Sequence, residues 1–131
     1  MFGAATFHAA MAEIVVGCMV LASLCAIGCA TGSIMPNLLG GRLSSDRMML
    51  TMDKASIAGA CLGLLFIPIA ALSGSFAADN TVNNALLYNK FVYTGLAAGF
   101  WAAFVIGRIR LGPGLWEHRS LSALQGATAA M

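Results

Sequence analysis

Charge is what this sequence lacks most. Only 9% of its 131 residues are Asp, Glu, Lys or Arg, whereas soluble domains carry about a quarter. A chain this long has enough residues to bury a core but too little charge to cover one. That shortage excludes an ordinary soluble domain. No Lys or Arg falls within residues 1–8, so the basic start of a cleavable signal peptide is missing, and the apolar run that follows reads as a retained span. No basic cluster with interleaved aromatics is present, which removes nucleic acid as a partner. The four cysteines (Cys18, Cys25, Cys29, Cys61) form no CxxC pair and all sit in apolar segments. That pattern argues against a disulfide framework or a zinc site and for small hydrophobes that pack.

Catalytic signatures are missing too. The chain has no nucleophile elbow, Walker loop, HExxH or dinucleotide fingerprint. Its five carboxylates have no evident partner for acid–base work. The expectation is therefore a protein without catalytic residues.

What the sequence does contain is apolar length: 60% of the residues are hydrophobic. Three runs stand out, at residues 9–30, 55–77 and 86–107. At about 1.5 Å per residue each is close to 33 Å long, enough to cross a hydrocarbon core of about 30 Å. Residues 31–54 read as a polar loop, with Pro36-Asn37 and Gly40-Gly41 as breakers and a short surface helix over 44–52. Pro68 lies inside the second run, a place where lipid-embedded helices tolerate proline. Residues 78–84 form a polar turn, and Gly112-Pro113-Gly114 ends the third run. The tail, 115–131, becomes apolar but is too short to span. It is either a C-terminal interfacial helix or an incomplete fourth span, and the second fits its unfinished pattern better. The fold class is an all-α integral membrane helical bundle, forming one domain over residues 1–131.

Six of the seven basic residues (Arg42, Arg47, Lys54, Arg108, Arg110, Arg119) fall on one side of a three-span arrangement, with Lys90 alone on the other. The positive-inside bias places that side in the cytoplasm and the N-terminus outside. Trp116 with Arg110 and Arg119 reads as the cytoplasmic interfacial anchor, and Tyr88 with Tyr93 as the outer one.

Small residues recur at spacing four: Cys18, Ala22, Ala26, Ala30; then Ala55, Gly59, Gly63; then Gly95, Gly99, Ala103, Gly107. Such stripes let helix backbones approach in lipid. They imply a tight bundle with Leu62, Leu65, Phe66, Phe100 and Phe104 turned to lipid or another subunit. Glu13 and Lys90 lie at similar depth near the outer ends of their spans, and an intramembrane charge tends to find a partner or water. They are expected to approach each other, near Asn89 and Tyr93, as a structural ion pair or the lining of a polar path. His8, at the mouth of the first span, is the candidate ligand for a haem, a chlorin pigment or copper, although a lone interfacial histidine is more often only that. His118 lies near the opposite face, so the two histidines do not share a metal. Cys25, Cys61 and the methionines Met19, Met48, Met49 and Met52 suit a soft metal, but flexible apolar packing is the commoner use of both residue types.

Phe7-His8 at the opening of the first span, Ala70-Ala71-Leu72-Ser73-Gly74 closing the second and Tyr88-Asn89 opening the third resemble a family of small four-helix bacterial integral membrane proteins, a domain of unknown function. The proline that accompanies the histidine there is missing here. The resemblance implies a helical bundle and no reaction. Together these readings point to a non-catalytic accessory subunit of a larger membrane complex of respiratory, photosynthetic or metal-dependent oxidase type. The alternatives are a small cofactor-binding protein using His8, or a small transporter or channel-like oligomer using Glu13 and Lys90. The expected surroundings are the lipid bilayer and other membrane subunits.

Overall fold

In hydrocarbon a backbone amide finds no water, so an apolar run closes its own hydrogen bonds as a helix. The computed structural model describes residues 3–35, 46–77 and 84–130, and these are helical almost throughout. Helix α1 covers Ala4–Ile34, α2 Asp46–Ala77, α3 Asn84–Leu111 and α4 Arg119–Ala130, with a 3₁₀ turn at Gly112–Glu117 before α4. Three of these helices are long and apolar enough to cross a membrane.

The helices outrun the apolar segments that mark them. α1 continues to Ile34, and α2 begins at Asp46 and runs unbroken through Pro68. The separate surface helix expected over 44–52 is therefore, in its described part, the first turns of α2. Extending an existing helix needs no new nucleus, and Arg, Met, Leu and Lys are good helix formers. Asp46 also suits the positive end of the helix dipole. The Pro36-Asn37 and Gly40-Gly41 breakers and the 78–83 turn lie outside the described residues. At the end of α3, Gly112 adopts φ +60, a left-handed conformation that stops the helix at little cost only for glycine.

α1 and α2 pack as a close antiparallel pair, and the small-residue stripes explain why. A Cβ at Gly59 would stand 2.8 Å from the Cys18 carbonyl oxygen and 3.2 Å from Ala22 Cβ. A Cβ at Gly63 would meet Met19 at 2.6 Å. Ser56 Oγ donates to the Ala22 carbonyl at 3.1 Å. Nearer the other end of the pair, Met52 covers Gly28 and Met49 covers Gly32. The methionines thus act as flexible filling over glycines. Ala22, Ala26, Cys29 and Ala60 are buried along this pair.

α4 lies against α1, where Gly126 faces Ala30. Its Gln125, Thr128 and Ala129 share a small cleft with Phe100, Trp101 and Phe104 of α3. α4 therefore leads back along the bundle. α3 packs on α2 and on the 3₁₀ turn, and most of its surface is open. Leu24, Leu65 and Phe100 face outward as apolar groups, which suits contact with lipid. Phe104 departs from the expected lipid-facing set. It is buried, with Trp101 edge-on at 5.5 Å and Trp116 tilted against it.

Candidate functional site

Two polar arrangements sit at opposite ends of the bundle. The first is closed. Asp53, two residues before the apolar part of α2, is 2% exposed. Arg108 of α3 reaches it with both arms of its guanidinium: Nε donates to Oδ1 at 2.6 Å, and Nη2 donates to Oδ2. Trp116 Nε1 donates to the same Oδ1 at 2.6 Å. The Trp116 carbonyl in turn accepts from Ser33 Oγ of α1 and from Ser122 Oγ of α4, the latter at 3.0 Å. One aromatic residue thereby ties all four helices together. A carboxylate this far from water is costly unless paired, and here every oxygen is occupied. No room is left for a substrate, so the cluster is a fastening.

This cluster corrects the expected interfacial anchor. Trp116 is buried, not splayed at a membrane surface, while Arg110 and Arg119 are exposed. The signal in the sequence was depth. Asp53 and Arg108 both flank apolar runs on the same predicted side and carry opposite charge.

The second arrangement is open. Near the start of α1, His8 Nδ1 lies 3.1 Å from the Ala70 carbonyl oxygen and 3.1 Å from Ser73 Oγ, both on α2. Ser73 Oγ itself donates to Ala70 at 3.0 Å. A carbonyl only accepts, so the proton sits on Nδ1, and in the neutral ring Nε2 carries the lone pair. The ring rests on Gly74, where a Cβ would come within 2.8 Å of His8 Cε1. An alanine there would push the imidazole away from its Ala70 and Ser73 partners. His8 Nε2 bonds to nothing among the described residues, yet no buried side-chain nitrogen or oxygen there lacks a partner, so Nε2 is accessible.

Beside His8 a cavity of about 610 Å³ opens between α1, α2 and α3. α1 and α3 splay apart here, each leaning on α2 instead of on the other. Its polar lining consists of His8, Ser75, Lys90 and Thr94; the rest is aliphatic, aromatic or glycine.

The structure does not bring Glu13 and Lys90 together. Both are exposed, the ion pair among the described residues is Asp53–Arg108, and Lys90 lines the cavity while Glu13 does not. Equal depth set their height along the bundle but not their direction around it, and a cavity lies between α1 and α3 there. Asn89 and Tyr93 are likewise exposed. His118 is exposed at the opposite end, beyond the 3₁₀ turn, so the two histidines are indeed apart. Among the described residues no three His, Cys, Asp or Glu side chains converge. Cys61 is exposed, Cys29 is buried with its thiol 3.6 Å from the Met49 carbonyl, and all four thiols are free.

Of the glycines expected to mediate packing, Gly59 and Gly63 do so within the chain. Gly95 and Gly99 do not: a Cβ at either would meet nothing within 4 Å, and Ala103 is exposed. Gly107 only approaches Leu115, at 3.8 Å. The third stripe therefore contributes nothing to packing within this chain above Gly107. No family model, curated protein or solved structure matches this chain.

Proposed function

We propose that this chain is a non-catalytic accessory subunit of a larger membrane protein complex, of respiratory, photosynthetic or metal-dependent oxidase type, and that α3 joins it to its neighbours. The observation that carries this reading is the contrast between two glycine pairs of equal spacing. Gly59 and Gly63 hold α2 against α1, whereas Gly95 and Gly99 on α3 face open space. Glycine in a helix interior costs about 1 kcal/mol relative to alanine. In lipid, a stripe of small residues stabilises a helix through close approach of another backbone. A helix that bears such a stripe and finds no partner in its own chain is suited to one in another. The family resemblance adds a bundle fold and no reaction. In this reading the N-terminus is outside and the Arg108 end cytoplasmic.

Purification on a tag through mild detergent tests this. Wild type is expected to carry large partners in fixed ratio, and a Gly95→Leu/Gly99→Leu variant to lose them while keeping its own fold. A wild-type chain that emerges alone and stable would sink the proposal.

A second reading, a cofactor held by His8, is supported by one feature. A histidine that donates Nδ1–H to a backbone carbonyl presents Nε2 in the way metal-bound imidazoles do. It expects a visible absorption band that disappears in His8→Ala. The transporter reading has no such support, because Glu13 and Lys90 do not meet.

A further inference from the structure

The cavity beside His8 is graded in polarity along the bundle. Its polar end is formed by His8 near the start of α1, Ser75 near the end of α2 and Lys90 near the start of α3, with Thr94 one turn further along α3. Its other end is formed by Val15, Val16 and Ile67. By helix rise, seven residues separate His8 from Val15, about 10 Å. A pocket polar at the depth of lipid headgroups and apolar below it has the form of an amphiphile. Its volume of about 610 Å³ lies within the range of small-molecule sites, about 300–1,000 Å³.

The polar groups narrow the choice. Lys90 is the charged residue of the lining, a cation that donates. His8 offers the opposite: an imidazole that donates Nδ1–H to the Ala70 carbonyl has Nε2 as its acceptor. An anion alone satisfies Lys90 and leaves Nε2 without a donor. A zwitterionic choline headgroup has a phosphate but no hydroxyl to give. A headgroup with a single negative charge and a free hydroxyl answers both.

We propose that this cavity binds one anionic phospholipid with a hydroxylated headgroup, of the phosphatidylglycerol type. Its phosphate sits on Lys90, its hydroxyl donates to His8 Nε2, and an acyl chain runs down past Val15, Val16 and Ile67. The proposal requires the chain to lie in a bilayer but does not depend on any partner subunit.

The test is made on the full chain alone, so it is separate from the co-purification experiment. The protein is placed in nanodiscs with equal amounts of phosphatidylglycerol, phosphatidylcholine and phosphatidylmethanol, which has the same charge without the hydroxyls. Native mass spectrometry then counts the lipid retained on release. Wild type is expected to keep one phosphatidylglycerol, favoured over phosphatidylcholine about fivefold, as one lysine near an anionic headgroup gives. The hydroxyl adds about threefold over phosphatidylmethanol. Lys90→Gln removes the first preference. His8→Phe removes the second and spares the first. Ala12→Phe, which fills the cavity, removes retention altogether. Arg47→Gln, at the other end of the bundle, changes nothing. Equal retention of all three lipids overturns the proposal, as does a phosphatidylglycerol preference that survives both Lys90→Gln and Ala12→Phe. A visible band on the purified protein, lost in His8→Ala, also overturns it and gives the cavity to a cofactor.

Discussion

Asp53 and Arg108 stand 55 positions apart in the chain and meet as a two-pronged ion pair inside the bundle, with side chains 3% and 12% exposed. The pair joins α2 to α3 at the end where Phe104 is also buried against Trp116. Breaking a buried pair by removing one partner leaves an uncompensated charge, at a cost of about 3–5 kcal/mol. Arg108→Leu is therefore expected to lower the thermal midpoint in detergent sharply. Asp53→Leu combined with Arg108→Leu is expected to recover part of the loss, because the stranded charge is gone. A double variant no better than the single would mean that the pair is not the reason for the loss.

Trp116 contributes twice at that fastening, through its ring nitrogen to Asp53 and its ring face to Phe104. Trp116→Phe keeps an aromatic ring and loses the hydrogen bond. A hydrogen bond to a charged group is worth about 1.5–3 kcal/mol, and the variant should lose stability by that order. Trp116→Ala should lose more, since its ring is buried in one cluster with Phe104 and Leu115. Chemical unfolding of the two variants in parallel separates the polar part from the packing part.

Two glycines, each part of a GxxxG pair, give opposite expectations. Alanine at Gly59 places a methyl group 2.8 Å from the Cys18 carbonyl, a contact with backbone that forces α1 and α2 apart. Alanine at Gly99 meets nothing within 4 Å and gains about 1 kcal/mol of helix propensity. The isolated chain should thus be destabilised by Gly59→Ala and unharmed or slightly stabilised by Gly99→Ala. If both lower the midpoint alike, the packing described for α1 and α2 is not what holds the pair.

The three long helices were legible in the sequence, because apolar length speaks directly to a backbone that must bond internally, and Gly112 marks the end of α3. So was the helix face that carries Gly59 and Gly63, since spacing four defines one; that it packs on Ala22 and Met19 of α1 was not. The azimuth of each helix was not legible. Glu13 and Lys90 share a depth yet point apart, and Asp53 and Arg108 share one and meet; spacing within a helix does not distinguish these cases. Trp116 looked like a surface anchor because tryptophan and arginine together usually are one. Its burial depends on the 3₁₀ turn after Gly112 folding it under α3, a tertiary event with no periodic signature. His8 was picked out as a candidate ligand by position alone. The Ala70 carbonyl and Ser73 hydroxyl that orient it lie more than 60 residues away.

The topology proposed from the basic residues has its own readout. With the Arg108 end in the cytoplasm, a reporter fused before residue 4 is active only outside, and one fused after residue 117 only inside. The opposite pattern would reverse the assignment of Lys90 and His8 to the outer leaflet, and with it the leaflet that supplies the lipid.

The central claim is that α3 meets another polypeptide through Gly95 and Gly99, and site-specific photocrosslinking in native membranes tests it most directly. A photoreactive side chain is placed at position 99 on α3 and, as a control, at position 24 on α1, where Leu24 is 64% exposed but bears no small-residue stripe. The account predicts a discrete protein adduct from position 99 and only lipid adducts from position 24. Lipid adducts alone from both positions would contradict it.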